Sequence, residues 1–321
     1  MTTLRLGTRG SQLALFQART VATLIAEHSG TRCDIVTIRT SGDQLADRPL
    51  SEVGGKRLFV KEIEDALLAG DVDLAVHSSK DLPVELPTGL EIGAVLPRED
   101  PADVLVQAGV GASDFQALAG RLATARIGTG SVRRVAQLRR VLPRARFEPI
   151  RGNLDTRLRK LDRGDYDVIV LASAGMRRLD VSDRISATIP PEICVPAPGQ
   201  GIIAIEIRAD DERARAAVAP INDADADAAL TSERALVVAL GGGCQMPIGG
   251  LCRLADGALE LLAIVASLDG TRLVRHRQRG PRSAASELGR EVAEQLLRDG
   301  AADILAEART AGIRIAGPHG P

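Results

Sequence analysis

Apolar residues recur along this chain in two rhythms, and their alternation predicts an α/β protein. Leu4–Thr8 reads as a short strand, and apolar residues repeat at helical spacing from Ser11 to about His28. Asp34–Thr40 alternates as a strand, Ser41–Arg57 is polar and glycine-bearing and reads as a loop, and Leu58–Ala69 returns to helical spacing. Asp73–His77 reads as a strand that runs out at Ser78-Ser79-Lys80-Asp81, and Leu90–Leu96 as another. A second series follows. Arg126–Thr129 is strand-like, Ser131–Val141 helix-like, Arg146–Ile150 strand-like and Leu154–Arg163 helix-like, before a buried strand Val168–Ala172 leads into Ala174–Leu179. Pro190, Pro191, Pro196 and Pro198 stiffen a crossover into the strand Gly201–Arg208, which could return to the first sheet. Residues 223–240 predict a helix, 250–279 three strands and 283–309 a helix, a compact α+β unit. Open α/β sheets of this kind carry their sites at strand ends.

Composition narrows the picture. At 321 residues, two or three domains are expected. Apolar residues make up 45% but aromatics only 2%, so the cores must be built from Ala, Val, Leu and Ile. A net charge of −1 argues against a polyanion binder by net charge. Cys33, Cys194, Cys244 and Cys252 show no C-x-x-C pairing and the four histidines are scattered, which argues against zinc. The amino terminus has no apolar signal region and no window is long enough to span a bilayer, so a soluble, cytoplasmic protein without membrane partners is expected.

The charge is unevenly placed. Between Arg126 and Arg178 stand 13 arginines and Lys160, against Glu148, Asp155, Asp162, Asp165 and Asp167. Thr129-Gly130-Ser131-Val132-Arg133-Arg134 sets two arginines and two hydroxyls at a helix start, where unpaired N–H groups favour anions, and Arg151-Gly152-Asn153-Leu154-Asp155-Thr156-Arg157 repeats the device. Arg139, Arg140, Arg144 and Arg163 fit a solvated helix face equally well. Nucleic acid is a weaker reading, because the segment offers only Phe147 and Tyr166 for base stacking. Arginines gathered at sheet ends point to a small ligand bearing several carboxylates or phosphates.

Two further features admit two readings each. Asp81, at the end of a strand, either caps a turn before Pro83 or offers a carboxylate to a cation that forms during reaction. Cys244 stands in Gly241-Gly242-Gly243-Cys244-Gln245-Met246-Pro247-Ile248-Gly249-Gly250, either a bystander in a tight turn or a thiol displayed for covalent attachment of something bulky.

An ordered set of motifs resembles the porphobilinogen deaminases, also called hydroxymethylbilane synthases. The matching pieces are Gly7-Thr8-Arg9-Gly10-Ser11-Gln12-Leu13-Ala14-Leu15-Phe16-Gln17, Gly54-Gly55-Lys56 with Leu58-Phe59-Val60-Lys61-Glu62, and Ala75-Val76-His77-Ser78-Ser79-Lys80-Asp81-Leu82-Pro83. Arg98-Glu99-Asp100-Pro101, Gly128-Thr129 with Ser131-Val132-Arg133-Arg134, Arg151-Gly152-Asn153, Pro196-Ala197-Pro198-Gly199-Gln200-Gly201 and Gly243-Cys244-Gln245-Met246-Pro247-Ile248-Gly249 complete the set. The resemblance implies two periplasmic-binding-protein-like α/β domains around a cleft plus a small C-terminal α+β domain. On this sequence those are 1–97 with 199–217, then 98–198, then 218–321, the last carrying the cysteine loop.

It also implies a monomeric, cytoplasmic transferase of tetrapyrrole biosynthesis. Such an enzyme joins four porphobilinogen units with loss of ammonia on a dipyrromethane cofactor held by a thioether to Cys244, and releases hydroxymethylbilane. By motif position Asp81 is the catalytic carboxylate, and Lys80, Asp81, Ser131, Arg133, Arg134 and Arg157 hold the cofactor. Arg9, Ser11, Gln17, Phe59, Arg151 and Arg178 face the substrate, no metal is involved, Ser41–Lys56 forms a lid, and the next pathway enzyme is a transient partner. Gly130, Arg57 and Glu52 depart from the family pattern, and Cys33, Cys194 and Cys252 match no cofactor motif and read as packing residues. Two rival functions are a non-catalytic anion receptor of the periplasmic-binding type, opposed by the Cys244 loop, and an RNA binder using the basic segment.

Overall fold

The computed structural model describes residues 3–44, 60–109, 111–243 and 246–315. In chain order its first strands are β1 (Leu4–Thr8), β2 (Cys33–Thr37), β3 (Leu74–Ser78) and β4 (Leu90–Val95). Then come β5 (Asp103–Val106), β6 (Arg126–Gly128), β7 (Arg146–Glu148), β8 (Val168–Ala172), β9 (Ala187–Ile189) and β10 (Ile203–Arg208). The helices among them are α1 (Gln12–Ser29), α2 (Ser41–Gln44), α3 (Lys61–Leu68), α4 (Phe115–Arg121), α5 (Val132–Leu138), α6 (Leu154–Asp162), α7 (Ser173–Arg178) and α8 (Glu212–Val218).

The strands make two five-stranded sheets with one plan, β2-β1-β3-β10-β4 and β7-β6-β8-β5-β9. In each, the parallel strands lead and one antiparallel strand sits fourth: β10 between β3 and β4, and β5 between β8 and β9. That fourth strand is in both cases the first one formed after the chain crosses from the other sheet. The central strands are near-continuous apolar runs (Leu74–Val76, Val168–Leu171) because helices cover both faces. Helix α1 shows how the boundaries arise. Ser11 caps its first turn by accepting from the Ala14 N–H, Ala18, Val21 and Ile25 face the sheet, and Gly30 ends it in the left-handed conformation at φ 68°.

The repeat extends to single hydrogen bonds at the far ends of the sheets. The Arg5 N–H donates to Asp73 Oδ2 at 2.7 Å and its guanidinium to the Gly70 carbonyl. The Arg126 N–H donates to Asp167 Oδ2, also at 2.7 Å, and its guanidinium to the Gly164 carbonyl.

The remaining unit is the antiparallel sheet β11 (Ile248–Ala255), β12 (Ala258–Ala266) and β13 (Leu273–Gly280), with helices α9 (Ala224–Ala239), α10 (Ala285–Leu296) and α11 (Ala302–Ile315). One face packs Leu261 and Val265 against Leu236, Leu288 and Val292, while Leu251, Leu262 and Ile264 on the other face meet Ala136 of α5 and Val195. A buried pair ties this unit to the crossover. Arg98 donates to both carboxylate oxygens of Glu233 at 2.8 and 2.6 Å, and Glu233 also accepts from the Gly199 and Cys252 N–H groups.

The α/β class with a small third unit is the one the pattern predicts, and several elements depart from it. The short strands β5 and β9 and helices α4 and α8 were not expected, Ser41–Gln44 is helical where a loop was predicted, and α5 stops at Leu138, short of Val141. The single helix over 283–309 is two, because Gly300 at φ 101° breaks it between α10 and α11. Among the described residues no helix is long and apolar enough to cross a membrane.

Candidate active site

The predicted side chains gather at the carboxyl ends of the parallel strands, where the two sheets face each other. Arg9 and Ser11 follow β1, a 3₁₀ turn Ser79–Asp81 follows β3, Ser131 to Arg134 follow β6, Arg151 follows β7, and Arg178 ends the helix after β8. Strand ends are where α/β sheets leave space and open helix starts. Across this space Leu13 of α1 reaches the backbone of Gly175 in α7, and a side-chain carbon at Gly175 would lie 3.6 Å from it.

The hydroxyls have local work. Ser131 Oγ accepts from the Arg134 N–H and Thr129 Oγ1 from the Ser131 N–H, which shapes the turn before α5. Gln17, 2% exposed, donates through Nε2 to Ser78 Oγ at 3.0 Å, so it braces the strand that carries the Lys80–Asp81 turn.

Arg133 and Arg134 are each 5% exposed and share one carboxylate. Asp103, at the head of β5, accepts from Arg133 Nη1 at 2.7 Å and from Arg134 Nε and Nη2 at 3.0 and 2.7 Å. Each arginine also caps a carbonyl, Val195 and Val170 respectively, and Arg133 Nε has no hydrogen-bond partner. Burial would raise the Asp103 carboxyl, but the two guanidiniums outweigh it and hold it far below the usual carboxylate range. Cys194 lies against the same group, its Sγ 3.4 Å from Asp103, and burial together with that carboxylate pushes the thiol up to about 12. Asp103 was missed by sequence reasoning; its signal is a lone acid heading the apolar run Val104-Leu105-Val106.

Lys80, Arg157 and Arg178 are governed instead by burial. Burial pushes the Lys80 ammonium down to about 8, with Arg134 and Arg133 adding to the effect and Asp81 and Asp103 opposing it. Its Nζ donates to Gln200 Oε1 at 3.2 Å. Arg157 is pushed down to about 10 by burial, then by Arg134 and Arg151, with Asp81 opposing. Arg157 donates to the Gly152 carbonyl, and Arg178, lowered by burial, donates to the Gly201 carbonyl in the crossover. Lys80, Arg133, Arg134, Arg151 and Arg157 thus share one region with the carboxylates of Asp81 and Asp103. Asp81 is exposed to the space these cations line. Phe59 and Cys244 lie outside the described residues, as do Lys56, Glu52 and Arg57, and no metal-binding cluster occurs among the described residues.

Desolvated cations in excess, with an orphaned buried N–H on Arg133, suit a ligand that brings several carboxylates. Fold and cleft define a two-lobed α/β protein whose facing strand ends gather cations beside the exposed Asp81. The family profile described as "Porphobilinogen deaminase, dipyromethane cofactor binding domain" matches residues 4–216, and "Porphobilinogen deaminase, C-terminal domain" matches residues 228–298. The chain belongs to the porphobilinogen deaminase family.

Its relatives agree over nearly the full length. Porphobilinogen deaminase of Syntrophobacter fumaroxidans is 48% identical over 306 residues, 95% of this chain and 97% of that protein. The enzyme of the same name from Bordetella parapertussis is 48% identical over 305 residues, 95% and 96% of the two chains. Two similar solved structures are more distant in sequence. Immunogenic lipoprotein A from Vibrio vulnificus is 13% identical over 72% of this chain and 99% of that one, with a TM-score of 0.41. A periplasmic substrate-binding protein of an ABC transporter from Coxiella burnetii is 12% identical over 68% and 92%, with a TM-score of 0.43.

Proposed function

We propose that the chain is a transferase that condenses four porphobilinogen molecules head to tail, with loss of ammonia, on a dipyrromethane primer joined to Cys244, and releases hydroxymethylbilane. The observation that carries this reading is the exposed carboxylate of Asp81, set beside Lys80 and Arg157, whose pKa values burial has lowered. The dipyrromethane, when bound, supplies the pyrrole carbon to which substrate is joined. Lys80, Arg157 and the Arg133–Arg134 pair with Ser131 are the groups that hold its acidic arms. The lowered pKa values of Lys80 and Arg157 give the energetic motive: each gains a counter-charge when a carboxylate arrives.

Arg9, Ser11, Arg151 and Arg178 bind and orient the acetate and propionate of incoming porphobilinogen, with Phe59 against its ring, and Gln17, expected to face the substrate, is buried and acts through Ser78 instead. Loss of ammonia from an aminomethylpyrrole places positive charge on the ring and its N–H. Asp81 stabilises that charge as it develops, a stronger interaction in the transition state than in the ground state, and it is also placed to take or return a proton. In this reading the enzyme is a cytoplasmic monomer divided into 1–97 with 199–217, 98–198 and 218–321, and it hands its product to the next pathway enzyme by transient contact. Membership of β10 in the first sheet supports the discontinuous first domain.

Intact-chain mass spectrometry tests the attachment. The purified protein carries an adduct the mass of two linked pyrroles, and Cys244→Ser lacks it. A wild-type chain of unmodified mass that still turns over substrate would refute the tether. Asp81→Asn keeps the adduct and loses about 10²–10³ in turnover, the scale of a single electrostatic stabiliser; near-normal rates would remove Asp81 from the chemistry.

A further inference from the structure

Gln200 lies in the crossover segment that returns to β10, and no role for it follows from motif position. It is 1% exposed and its side-chain amide is fully engaged. Nε2 donates to the Pro101 carbonyl at 2.6 Å and to Asp103 Oδ1 at 2.9 Å, while Oε1 accepts from Lys80 Nζ at 3.2 Å. A carbonyl and a carboxylate accept only, so the amide nitrogen must face them and the oxygen must face Lys80. The backbone is fixed as well: the Gln200 N–H donates to the Ala197 carbonyl, and its own carbonyl accepts from Arg98 Nε at 3.1 Å.

We propose that Gln200 is a positioning residue that holds the Lys80 ammonium toward the cleft and ties it to the Arg98–Asp103 crossover between the two sheets. The inference rests on the reading above that Lys80 meets an acidic ligand. A neutral acceptor suits the task for a physical reason. Lys80 is adjacent in sequence to Asp81, and a flexible lysine without another acceptor would turn to that carboxylate and quench it. An amide oxygen restrains the ammonium without cancelling its charge, so Lys80 stays available to a ligand and Asp81 to the reacting ring. Because Nε2 is held by Pro101 and Asp103, the same amide transmits any shift of the crossover to Lys80.

Pulse labelling with acetic anhydride across pH, read peptide by peptide on the full chain as purified, gives the titration midpoint of Lys80. Exposed Lys61 serves as internal reference. The charges facing Lys80 are Asp81 in its own turn, Asp103 on β5, Arg133 and Arg134 on α5 and, in the reading above, the acidic arms of the attached dipyrromethane. None of these changes in Gln200→Met, which removes only the acceptor. Loss of a hydrogen bond to the charged form lowers the Lys80 midpoint, by roughly one pH unit. Gln200→Glu keeps an oxygen facing Lys80, so its midpoint stays at or above wild type. Should Gln200→Met fail to fold, Gln200→Asn withdraws the same amide by one methylene and carries the same expectation of a lowered midpoint. Equal Lys80 midpoints in wild type and a folded Gln200→Met or Gln200→Asn chain overturn the proposal, as does an equal fall in Gln200→Glu. The labelling reads Lys80 itself, so its failure is separate from absence of the pyrrole adduct, which bears on the proposed function alone.

Discussion

Replacing Asp103 by asparagine removes one charge and almost no volume, yet it should be among the most damaging single changes in the second sheet. The carboxylate is fully buried and accepts three hydrogen bonds from Arg133 and Arg134 and a fourth from Gln200. Asparagine offers one oxygen and turns an NH₂ group toward guanidinium donors. Two nearly buried cations are then left without their counter-charge, and breaking a buried pair from one side costs about 3–5 kcal/mol. Asp167→Asn is the matched control, because its pair with Arg126 is 43% and 40% exposed and surface pairs contribute about 0–1 kcal/mol. The chain has no tryptophan, so urea unfolding is best followed by far-ultraviolet circular dichroism. The pH dependence has a definite sign. The folded carboxyl is held below its unfolded value of 3.8, so its contribution is complete above that value and is lost only as pH falls below it. The difference between wild type and Asp103→Asn should therefore be the same at pH 5 and pH 7. A loss below about 1 kcal/mol, no larger than for Asp167→Asn, would refute the reasoning, as would a gap that closes between pH 7 and pH 5.

Two other expectations follow from the crossover and the cleft. Gly201 sits at φ 91° and a side-chain carbon there would fall 2.2 Å from the Glu99 carbonyl oxygen, so Gly201→Ala should lower stability by at least about 1–3 kcal/mol in a thermal melt. A Gly201→Ala chain that melts with wild type would show that the crossover bends freely. Burial pushes the Lys80 ammonium down to about 8 in the folded chain from its ordinary 10.5, so it opposes folding below pH 8 and the penalty lifts as pH rises toward 10.5. In adduct-free Cys244→Ser protein, stability relative to the Lys80→Met double variant should climb between pH 7 and pH 10; a flat difference counts against a desolvated ammonium.

Much of this architecture was legible because its signals are local. Val168–Ala172 is an apolar run bounded by polar turns, α1 carries its own cap and its own glycine stop, and both read correctly from neighbours in sequence. The strand β5 was not legible for the opposite reason. It has four residues and opens on a buried aspartate, which reads as exposed polar chain until Arg133 and Arg134 are brought to it from 30 residues away. Strand β9 has three residues and pairs only with β5, so it disappeared with it. The helix over 283–309 kept its apolar period across Gly300, and only the backbone angle there reveals two helices.

The candidate site divides along the same line. Sequence placed the arginines at strand ends, where the structure has them, since motif and strand end are both local properties. What each arginine is bonded to is a tertiary property. Arg133 and Arg134 are largely occupied by Asp103, so their charge is partly spent in holding β5 and α5 together. Lys80 and Arg157 are desolvated without a carboxylate of their own, and their lowered pKa values mark them as the cations with most to gain from an acidic ligand. A count of basic residues treats all of these alike. Separating those that brace the fold from those that wait for a ligand requires knowing where Asp103 lies, and that one buried carboxylate is what turns a basic segment into a cleft with graded demand for anions.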